Sequence, residues 1–356
     1  MEHSPAIPHR GAVSNATGRF ERHQAEACDD GWDLPETELP PLRTQVTNDA
    51  TRSIITRNTS PDVPFDRSIN PYRGCEHGCI YCFARPTHAY LGLSPGLDFE
   101  TRLFAKPDAP ALLEKELANP RYRPAVIAIG TNTDPYQPVE RERRIMRACL
   151  EVLSACRHPV MITTKSHLVT RDLDILGPMA AQGLATVGIS VTTLDRALCR
   201  TLEPRAATPA MRLEAIRQLA AAGIPTTIMV APVIPFITDH ELERILEAGR
   251  AAGATAAASI LLRLPDEVKD LFAQWLHTHV PDKAAHVLSL LAQSHGGKAY
   301  DASWGKRFTG TGPHAQLLAQ RFTLACKRLG FQPRHQNLKT ELFRRPIRLG
   351  DQLSLL

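Results

Sequence analysis

The sequence predicts an α/β fold: a partial (β/α)6 TIM-like barrel with an irregular N-terminal arm and a helical C-terminal extension. Two observations predict it. Six short runs of mostly Ile, Val, Thr and Ala alternate with helical patterns of about 10 to 16 residues, as in βα units around a parallel sheet. Gly183, Gly223 and Gly253 each follow a predicted helix end, and Pro159 and Pro225 begin the next predicted strand.

The six βα units give the predicted core its order. The predicted strands are residues 68–72, 125–130, 160–164, 186–192, 226–231 and 257–262. The predicted helices are residues 109–118, 140–155, 170–182, 209–222, 239–252 and 266–276. Parallel strands with right-handed crossovers can form an open barrel whose active site lies at the carboxyl ends of the strands. A flat, doubly wound sheet is the alternative arrangement.

The remaining segments flank this core. Residues 1–62 are rich in Pro, Asp, Glu, Asn and Thr and are predicted to form an irregular arm that lies over the core. Residues 63–282 form the predicted core, and residues 283–356 form an extension in which 314–329 is a predicted helix. The extension ends in a basic tail that contains Arg334, His335, Lys339, Arg344, Arg345 and Arg348.

Composition indicates a globular protein of the cytoplasm. The 356 residues are 43% hydrophobic and 22% charged, which is ordinary for a protein with one large core. The first 19 residues lack an apolar run, so neither a signal peptide nor a membrane anchor is expected. The eight cysteines are therefore expected to be reduced and free to bind metal. A net charge of +5 permits contact with nucleic acid without requiring it.

Three cysteines lie within eight positions, in Cys75-Glu76-His77-Gly78-Cys79-Ile80-Tyr81-Cys82. Three thiolates can bind three irons of a 4Fe-4S cluster, whereas a cluster that only carries electrons usually takes four cysteines. The fourth iron would then be open to another ligand. A zinc site completed by His77 or His88 is an alternative interpretation, and a redox dithiol of Cys79 and Cys82 is a third.

The position of this motif in the chain and its spacing resemble those of a known family. The motif follows the first predicted strand, its cysteines are separated by three and two residues, and Tyr81 places an aromatic residue just before the third. In these features the chain resembles the radical S-adenosylmethionine (SAM) superfamily. Further stretches at strand ends resemble the branch that contains spore photoproduct lyase, from about residue 43 to the C-terminus: residues 71–74, 130–138, 163–166, 190–193 and 232–235.

The resemblance implies an enzyme of lyase or oxidoreductase type with a 4Fe-4S cluster and S-adenosyl-L-methionine as cofactors. The cluster would be held by Cys75, Cys79 and Cys82, and it would reductively cleave SAM to a 5′-deoxyadenosyl radical. An external electron donor of flavodoxin or ferredoxin type would be its partner. No membrane partner is expected.

The resemblance also implies five residues that contact the cofactor: Tyr81, Asn132, Asp134, Lys165 and Ser190. For most of these residues, a structural role without cofactor contact is the alternative. Residues 131–134 can form an ordinary turn, Lys165 can be a solvated cation, and Ser190 can bond its own backbone. Glu203 and Arg205 can form a charge pair beside the site or on the surface. No catalytic residue is assigned.

The substrate stays open at this point. Spore photoproduct lyase repairs a thymine dimer in DNA and returns hydrogen from a cysteine near the end of its second strand. Here the corresponding stretch begins Gly130-Thr131-Asn132, and no cysteine occurs between Cys82 and Cys149. Photoproduct repair is therefore an alternative only. A zinc-stapled nucleic-acid-binding protein without redox chemistry is the other alternative, and the basic tail could contact nucleic acid.

Overall fold

The structure, a computed structural model, describes residues 7–21, 42–332 and 338–346. The described chain contains all six predicted core strands together with four short strands. The strands are β1 (Gln45–Asn48), β2 (Thr56–Arg57), β3 (Arg67–Ile69), β4 (Tyr72–Arg73), β5 (Arg102–Ala105), β6 (Ile127–Ile129), β7 (Val160–Thr164), β8 (Ala185–Ser190), β9 (Thr226–Val233) and β10 (Ala256–Leu261).

The main sheet has the strand order β10-β9-β8-β7-β6-β3-β2. Its six core strands are parallel and follow one another in chain order, and only the edge strand β2 is antiparallel, to β3. A doubly wound sheet would reverse its strand order in the middle. The sequential order instead confirms the predicted partial TIM-like barrel. Within the described ranges β10 does not pair with β3, so the barrel is open there.

The helices connect these strands, and several were not predicted. The α-helices are α1 (Leu97–Thr101), α2 (Ala109–Leu117), α3 (Glu140–Arg143), α4 (Ile145–Ala155), α5 (Leu173–Ala181), α6 (Arg196–Leu202), α7 (Pro209–Ala221), α8 (Leu242–Ala251), α9 (Val268–His279), α10 (Pro281–Ser294) and α11 (Gly312–Leu329). Helices α1, α6 and α10 are additional to the prediction. Helix α10 begins at residue 281, so it crosses the boundary predicted after residue 282.

The helix predicted over residues 140–155 is broken, and that part of the prediction is wrong. Arg144 has a left-handed backbone conformation, with φ 52°, between α3 and α4. The buried carboxylate of Glu140 accepts hydrogen bonds from the backbone N–H groups of Met146 at 3.0 Å and Arg147 at 3.3 Å. A side chain that satisfies the first N–H groups of a helix marks a new helix start. The predicted helices at 170–182 and 239–252 likewise begin with 3-10 turns, His167–Asp172 and Asp239–Glu241.

Two apolar clusters hold the barrel together. The larger lies between the sheet and its helices and includes Ile129, Ile162, Ile189 and Val230, one from each of four neighbouring strands. The smaller packs Ile80 of the cysteine motif against side chains of α6, α9 and α10 that include Leu202, Phe272, Trp275 and Leu291. Helices α6 and α10 therefore support the cysteine motif, a role that strand and helix periodicity did not reveal.

The described part of the N-terminal arm is partly regular and partly buried. Strands β1 and β2 both fall within residues 1–62, and β1 pairs with β5 in a small second sheet. The side chains of Arg10, Ala12 and Val13 are buried against the core. Cys28, the single cysteine among residues 1–62, lies outside the described residues.

Residues 300–310 span the opening of the barrel. On one side the backbone N–H of Leu261 donates to the carbonyl of Phe308 at 2.9 Å. On the other side the backbone N–H of Gly305 donates to Asp62 at 2.7 Å. Asp62 belongs to the loop between β2 and β3, so this segment joins the last core strand to the first. It closes the cavity described below.

The described part of the basic tail lies at the amino ends of the strands. Backbone N–H groups of Lys339 and Arg344 donate to Gly183 and Cys156, at the ends of α5 and α4, and Arg345 bonds the carbonyl of Pro120. This end of the barrel is opposite to the carboxyl ends of the strands. Arg334, His335 and Arg348 lie outside the described residues. Across the described ranges, no helix combines the length and apolar character that crossing a bilayer requires.

Candidate functional site

A cavity of about 570 Å³ lies at the carboxyl ends of the core strands. Its walls include all three cysteines of the motif, residues that follow β6, β7 and β10, and residues near the carboxyl ends of β8 and β9, namely Ser190 and Ala231. All five residues predicted to contact the cofactor line this cavity. The polar and ionisable lining residues include Cys75, His77, Cys79, Tyr81, Cys82, Asn132, Asp134, Lys165, Ser190, Arg263 and Arg307.

A glutamine holds the cysteine motif in place. The Gln137 side chain is fully buried, its carbonyl oxygen accepts from the backbone N–H of Glu76 at 2.8 Å, and its amide donates to the carbonyl of Gly74 at 3.2 Å. Gly78 has a φ of 65°, and a Cβ there would come within 2.7 Å of the Glu100 carboxylate. The motif therefore needs glycine at this position both for its conformation and for its packing.

A buried ion pair supports the same motif from beneath. Arg85 donates to the carbonyls of Cys79 at 2.9 Å and Gly78 at 3.1 Å, and its guanidinium lies 2.5 Å from the Glu100 carboxylate. Glu100 also accepts from the backbone N–H groups of Gly11 and Ala12 in the N-terminal arm. The arm, the cysteine motif and α1 thus meet at one carboxylate.

Burial raises the pKa of the thiols of Cys75, Cys79 and Cys82 above the usual range for cysteine. Thiolate is the form that binds metal, so a bound metal would have to displace the thiol protons. Among residues 7–21, 42–332 and 338–346, no three His, Cys, Asp or Glu side chains form a group that could hold a metal ion. An iron–sulfur cluster does not require three side chains to meet at one metal ion, because each thiolate binds its own iron.

The two histidines that could complete a zinc site have other partners. The Nε2 atom of His88 lies 2.9 Å from the carbonyl oxygen of Arg102, and its ring packs edge-on against Phe99. His88 does not line the cavity. His77 does, but its Nδ1 atom lies 3.3 Å from the carboxylate of Asp134.

Asp134 is a largely buried carboxylate in the cavity wall that several groups of the chain hold in place. It accepts from the Thr164 hydroxyl at 2.7 Å and from the backbone N–H groups of Lys165 at 2.7 Å and Tyr136 at 2.9 Å. Burial acts to raise its pKa, but the interaction with His77 and these hydrogen bonds outweigh burial and lower the pKa to about 2. Asp134 therefore ties the end of β6 to the end of β7 and orients Lys165.

Glu203 is the centre of a second buried network. The Glu203 carboxylate accepts hydrogen bonds from Tyr81 and Thr192 and pairs with the buried guanidinium of Arg212. Burial acts to raise the pKa of Glu203, but the positive charges of Arg212 and Lys165 have the larger effect and lower it to about 2. The predicted pairing of Glu203 with Arg205 is wrong: Arg205 lies 3.0 Å from Glu76 instead. Residue spacing could not distinguish these partners, because helix α7 brings Arg212 back to the strand ends.

The remaining predicted contacts are placed at three neighbouring strand ends. The Lys165 ammonium lies 3.4 Å from the carbonyl oxygen of Ala231, 4.0 Å from Glu203 and 5.8 Å from the ring centre of Tyr81. Asn132 is held by its backbone N–H, which donates to the side chain of Asn70 at 3.1 Å. The carbonyl of Ser190 accepts from Arg212 at 3.1 Å.

Several supporting residues were missed in the sequence. Gln137, Arg85 and Glu100 act through backbone groups, which leaves no pattern in the chain. Arg212 did leave a signal. It shares the buried face of α7 with Ala215, Ile216 and Leu219, at spacings of three, four and seven residues. A charge on the apolar face of a helix requires a buried partner.

The opposite wall of the cavity is aromatic and basic. The guanidinium carbon of Arg263 lies 4.0 Å from the ring centre of Phe83 and 4.8 Å from that of Phe308. Arg307 lies over the same Phe308 ring at 4.7 Å and pairs with Asp62 at 2.6 Å. Burial lowers the pKa of Arg263, and the neighbouring Tyr300 hydroxyl acts in the opposite direction.

Comparison with known proteins gives the family. The family model described as the radical SAM superfamily matches residues 69–249, about half of the chain. An uncharacterized protein of Mycobacterium tuberculosis is 40% identical over 222 residues, which are 62% of this chain and 65% of that protein. The match thus spans somewhat less than two thirds of this relative. An uncharacterized protein of Methanocaldococcus jannaschii is 27% identical over 173 residues, 49% of this chain and 62% of that one.

Solved structures of spore photoproduct lyase variants share the fold. One aligns with a TM-score of 0.58 and 17% identity over 80% of each chain. Another, with bound AdoMet and dinucleoside spore photoproduct, aligns with a TM-score of 0.56 and 16% identity over 80% of each chain. At sequence identities this low, the similarity shows that the fold is shared and nothing more.

Proposed function

The chain belongs to the radical SAM superfamily, and from that premise we propose that it is an enzyme whose 4Fe-4S cluster reductively cleaves SAM. The observation that carries the proposal is the convergence of Cys75, Cys79 and Cys82 with the predicted cofactor contacts on one cavity. When bound, the cluster and SAM would supply a 5′-deoxyadenosyl radical to a substrate in that cavity. The substrate, and whether SAM is regenerated, are left open.

The donor set fits a cluster with one open iron. No cysteine other than these three lines the cavity in the described chain, so the fourth iron would be free for the amino and carboxylate groups of SAM. His77 and His88 have partners within the chain, which counts against their use as ligands of a zinc ion.

The surrounding residues would orient the cofactor. Lys165 would bind its carboxylate, because the ammonium lies in the cavity and its contact with Glu203, at 4.0 Å, is long for an ion pair. Asn132, Ser190 and Tyr81 would contact it from the neighbouring walls. Asp134 would act mainly by fixing the backbone of Lys165. Apolar lining residues, including Met229, Ile260 and Leu262, would keep water and stray hydrogen donors away from a radical.

The test is anaerobic reconstitution of the protein with iron and sulfide, followed by metal analysis, absorbance and product chromatography. We expect about four irons for each chain and a brown protein. With dithionite and SAM but no added substrate, it should slowly form 5′-deoxyadenosine and methionine. One zinc ion without visible absorption, or no 5′-deoxyadenosine under reducing conditions, would contradict the proposal. A flavodoxin or ferredoxin should replace dithionite as the electron donor.

Repair of a DNA photoproduct is a second candidate that the same assay decides. The stretch Gly130-Thr131-Asn132 lines the cavity after β6 without a thiol that could return hydrogen. We therefore expect that ultraviolet-irradiated DNA does not raise the rate of 5′-deoxyadenosine formation. Repaired thymines in the DNA would instead support the lyase activity.

A further inference from the structure

Two arginines stack on one phenyl ring in the wall of the cavity, and they differ in their counter-ions. Arg307 has one: its guanidinium lies 2.6 Å from Asp62 and also donates to Ser60. For Arg263, no Asp or Glu within the described residues forms a salt bridge, and the groups that favour its charge are the Tyr300 hydroxyl and the Cys82 thiol. Arg263 is thus a partly buried charge without a carboxylate counter-ion among the described residues.

An unpaired guanidinium in a partly buried place is costly unless something else supplies the negative charge. Stacking on Phe83 and Phe308 covers faces of the guanidinium and leaves its N–H edge for hydrogen bonds in the plane. That edge matches the two oxygens of a phosphate or carboxylate. The stacked arrangement therefore holds Arg263 ready for an oxyanion.

Arg263 lies at a different strand end from three of the proposed cofactor contacts. It follows β10 by two residues and lies on Phe83, the residue directly after Cys82. Asn132, Lys165 and Ser190 instead end or follow β6, β7 and β8. Both groups of residues line the same cavity, but they come from different strand ends.

We propose that Arg263 binds an oxyanion of the substrate, so that the substrate is an anionic organic molecule carrying a phosphate or carboxylate group. This inference rests on the function proposed above. Val63, Phe65 and Ile260 line the same cavity, so the uncharged part of the substrate adjoining the oxyanion is apolar or aromatic.

The test uses small probes on the reconstituted protein saturated with SAM. Phenyl phosphate, benzoate and benzyl alcohol are titrated by calorimetry into wild type and R263Q. We expect at least one of the two anions to bind the wild-type protein and benzyl alcohol to bind much more weakly. The anion that binds more tightly identifies the substrate's charged group. In R263Q its affinity should fall about tenfold to hundredfold, because one bidentate, charge-assisted contact is lost.

Three variants control this result. R307Q removes the other arginine on Phe308, which is already paired with Asp62, and should weaken anion binding less than R263Q does. R217Q removes an exposed charge on α7 and should leave anion affinity unchanged. R263K keeps the charge but loses the planar fork, so an intermediate loss is expected, and it serves if R263Q does not fold. Equal anion affinity in wild type and in every folded Arg263 variant would overturn the inference.

Competition distinguishes the substrate from the cofactor. Anion affinity should be the same with and without SAM; displacement of the anion by SAM would assign Arg263 to the cofactor carboxylate and overturn the inference. Anion binding that depends on Arg263 in a protein that forms no 5′-deoxyadenosine would support the subsite while refuting the proposed function. If 5′-deoxyadenosine forms but anion binding does not depend on Arg263, the proposed function is supported and the oxyanion subsite is refuted.

Discussion

The two ends of the barrel bury ionisable side chains in opposite states. At the carboxyl ends, Asp134 and Glu203 have pKa values lowered to about 2 and are held as carboxylates by paired cations and hydrogen bonds. At the amino ends, His158 is fully buried between Tyr122 and Phe343, and burial lowers its pKa to about 4. His158 is thus neutral near pH 7, whereas the carboxylates are charged.

The two protonation states need different partners in the protein interior. The Tyr122 hydroxyl, 2.8 Å from Nε2 of His158, and the carbonyl of Pro159, 3.0 Å from Nδ1, satisfy a neutral ring. Neutral hydrogen bonds thus suffice for His158, although the buried guanidinium of Arg67, which is paired with Asp66, lies 5.3 Å from the ring centre of Tyr122.

Buried charges need a partner for each carboxylate and are seldom the most stable way to fill a core. Asp134 fixes the backbone of Lys165, and Glu203 lies 4.0 Å from its ammonium, so these two carboxylates position a cation that lines the cavity, a use that packing alone does not require.

Removal of one proposed iron ligand should give the largest effect on the cavity end. C75A, C79A and C82A should each lose most of their iron, because a missing thiolate exposes a second iron to solvent. The control is C326A, at a half-buried position on α11, which should keep its iron. Iron counts after anaerobic reconstitution check the prediction. An unchanged cluster in C79A would contradict the assignment.

Breaking the charged network should cost more stability than breaking a surface pair on the same helix. Arg212→Met leaves Glu203 buried without its cation, so the free energy of unfolding should fall by about 3–5 kcal/mol. Arg217→Met removes the exposed partner of Glu214 and should change it by about 0–1 kcal/mol. Denaturant titration of both variants measures the difference. Equal losses would mean that the buried pair contributes no more than a solvated one.

At the amino end, His158 should make a large contribution to the pH dependence of stability between pH 7 and pH 4, because its pKa is lowered to about 4. The unfolded imidazole, with pKa near 6.5, takes up a proton as the pH falls, whereas the folded His158 resists until about 4. The free energy of unfolding should therefore decrease by up to about 3 kcal/mol over this range, at about 1.4 kcal/mol for each pKa unit. Asp134 and Glu203 lose their stabilising contribution mainly at lower pH, toward 2.

Denaturant titrations at several pH values check this prediction. His158→Gln should flatten the dependence between pH 7 and pH 4, while His277→Gln, at an exposed position, is the control for loss of an imidazole. A slope that survives in His158→Gln would show that other groups carry it.

The smallest expected effect concerns cofactor affinity. Lys165→Ala should weaken SAM binding about tenfold to hundredfold while the cluster stays intact, since one charge-assisted hydrogen bond is worth roughly 1.5–3 kcal/mol. Lys269→Ala, at an exposed position of α9, is the control for a lost lysine. Calorimetry on the reconstituted protein decides. Equal affinity in wild type and Lys165→Ala would remove Lys165 from the cofactor site.

By itself, the sequence determined the six βα units and placed the three cysteines directly after the first predicted strand. These are local properties: strand composition, helix periodicity and the spacing of ligands within eight positions are all properties of short stretches. The resemblance to the radical SAM superfamily rested on the same short stretches, and the family match confirms it. The positions of Asn132, Lys165 and Ser190 at strand ends followed from the parallel order of the strands.

Only the tertiary structure decided which charges meet. Glu203 finds Arg212 rather than Arg205, and Arg307 finds Asp62 from a segment 245 residues away in the chain. Helix α6, helix α10 and the segment that closes the barrel also escaped the sequence, because their contacts join distant parts of the chain. Charge pairing depends on distance in space and on burial, and a linear pattern contains neither. The unpaired state of Arg263 became visible for that reason only in the fold.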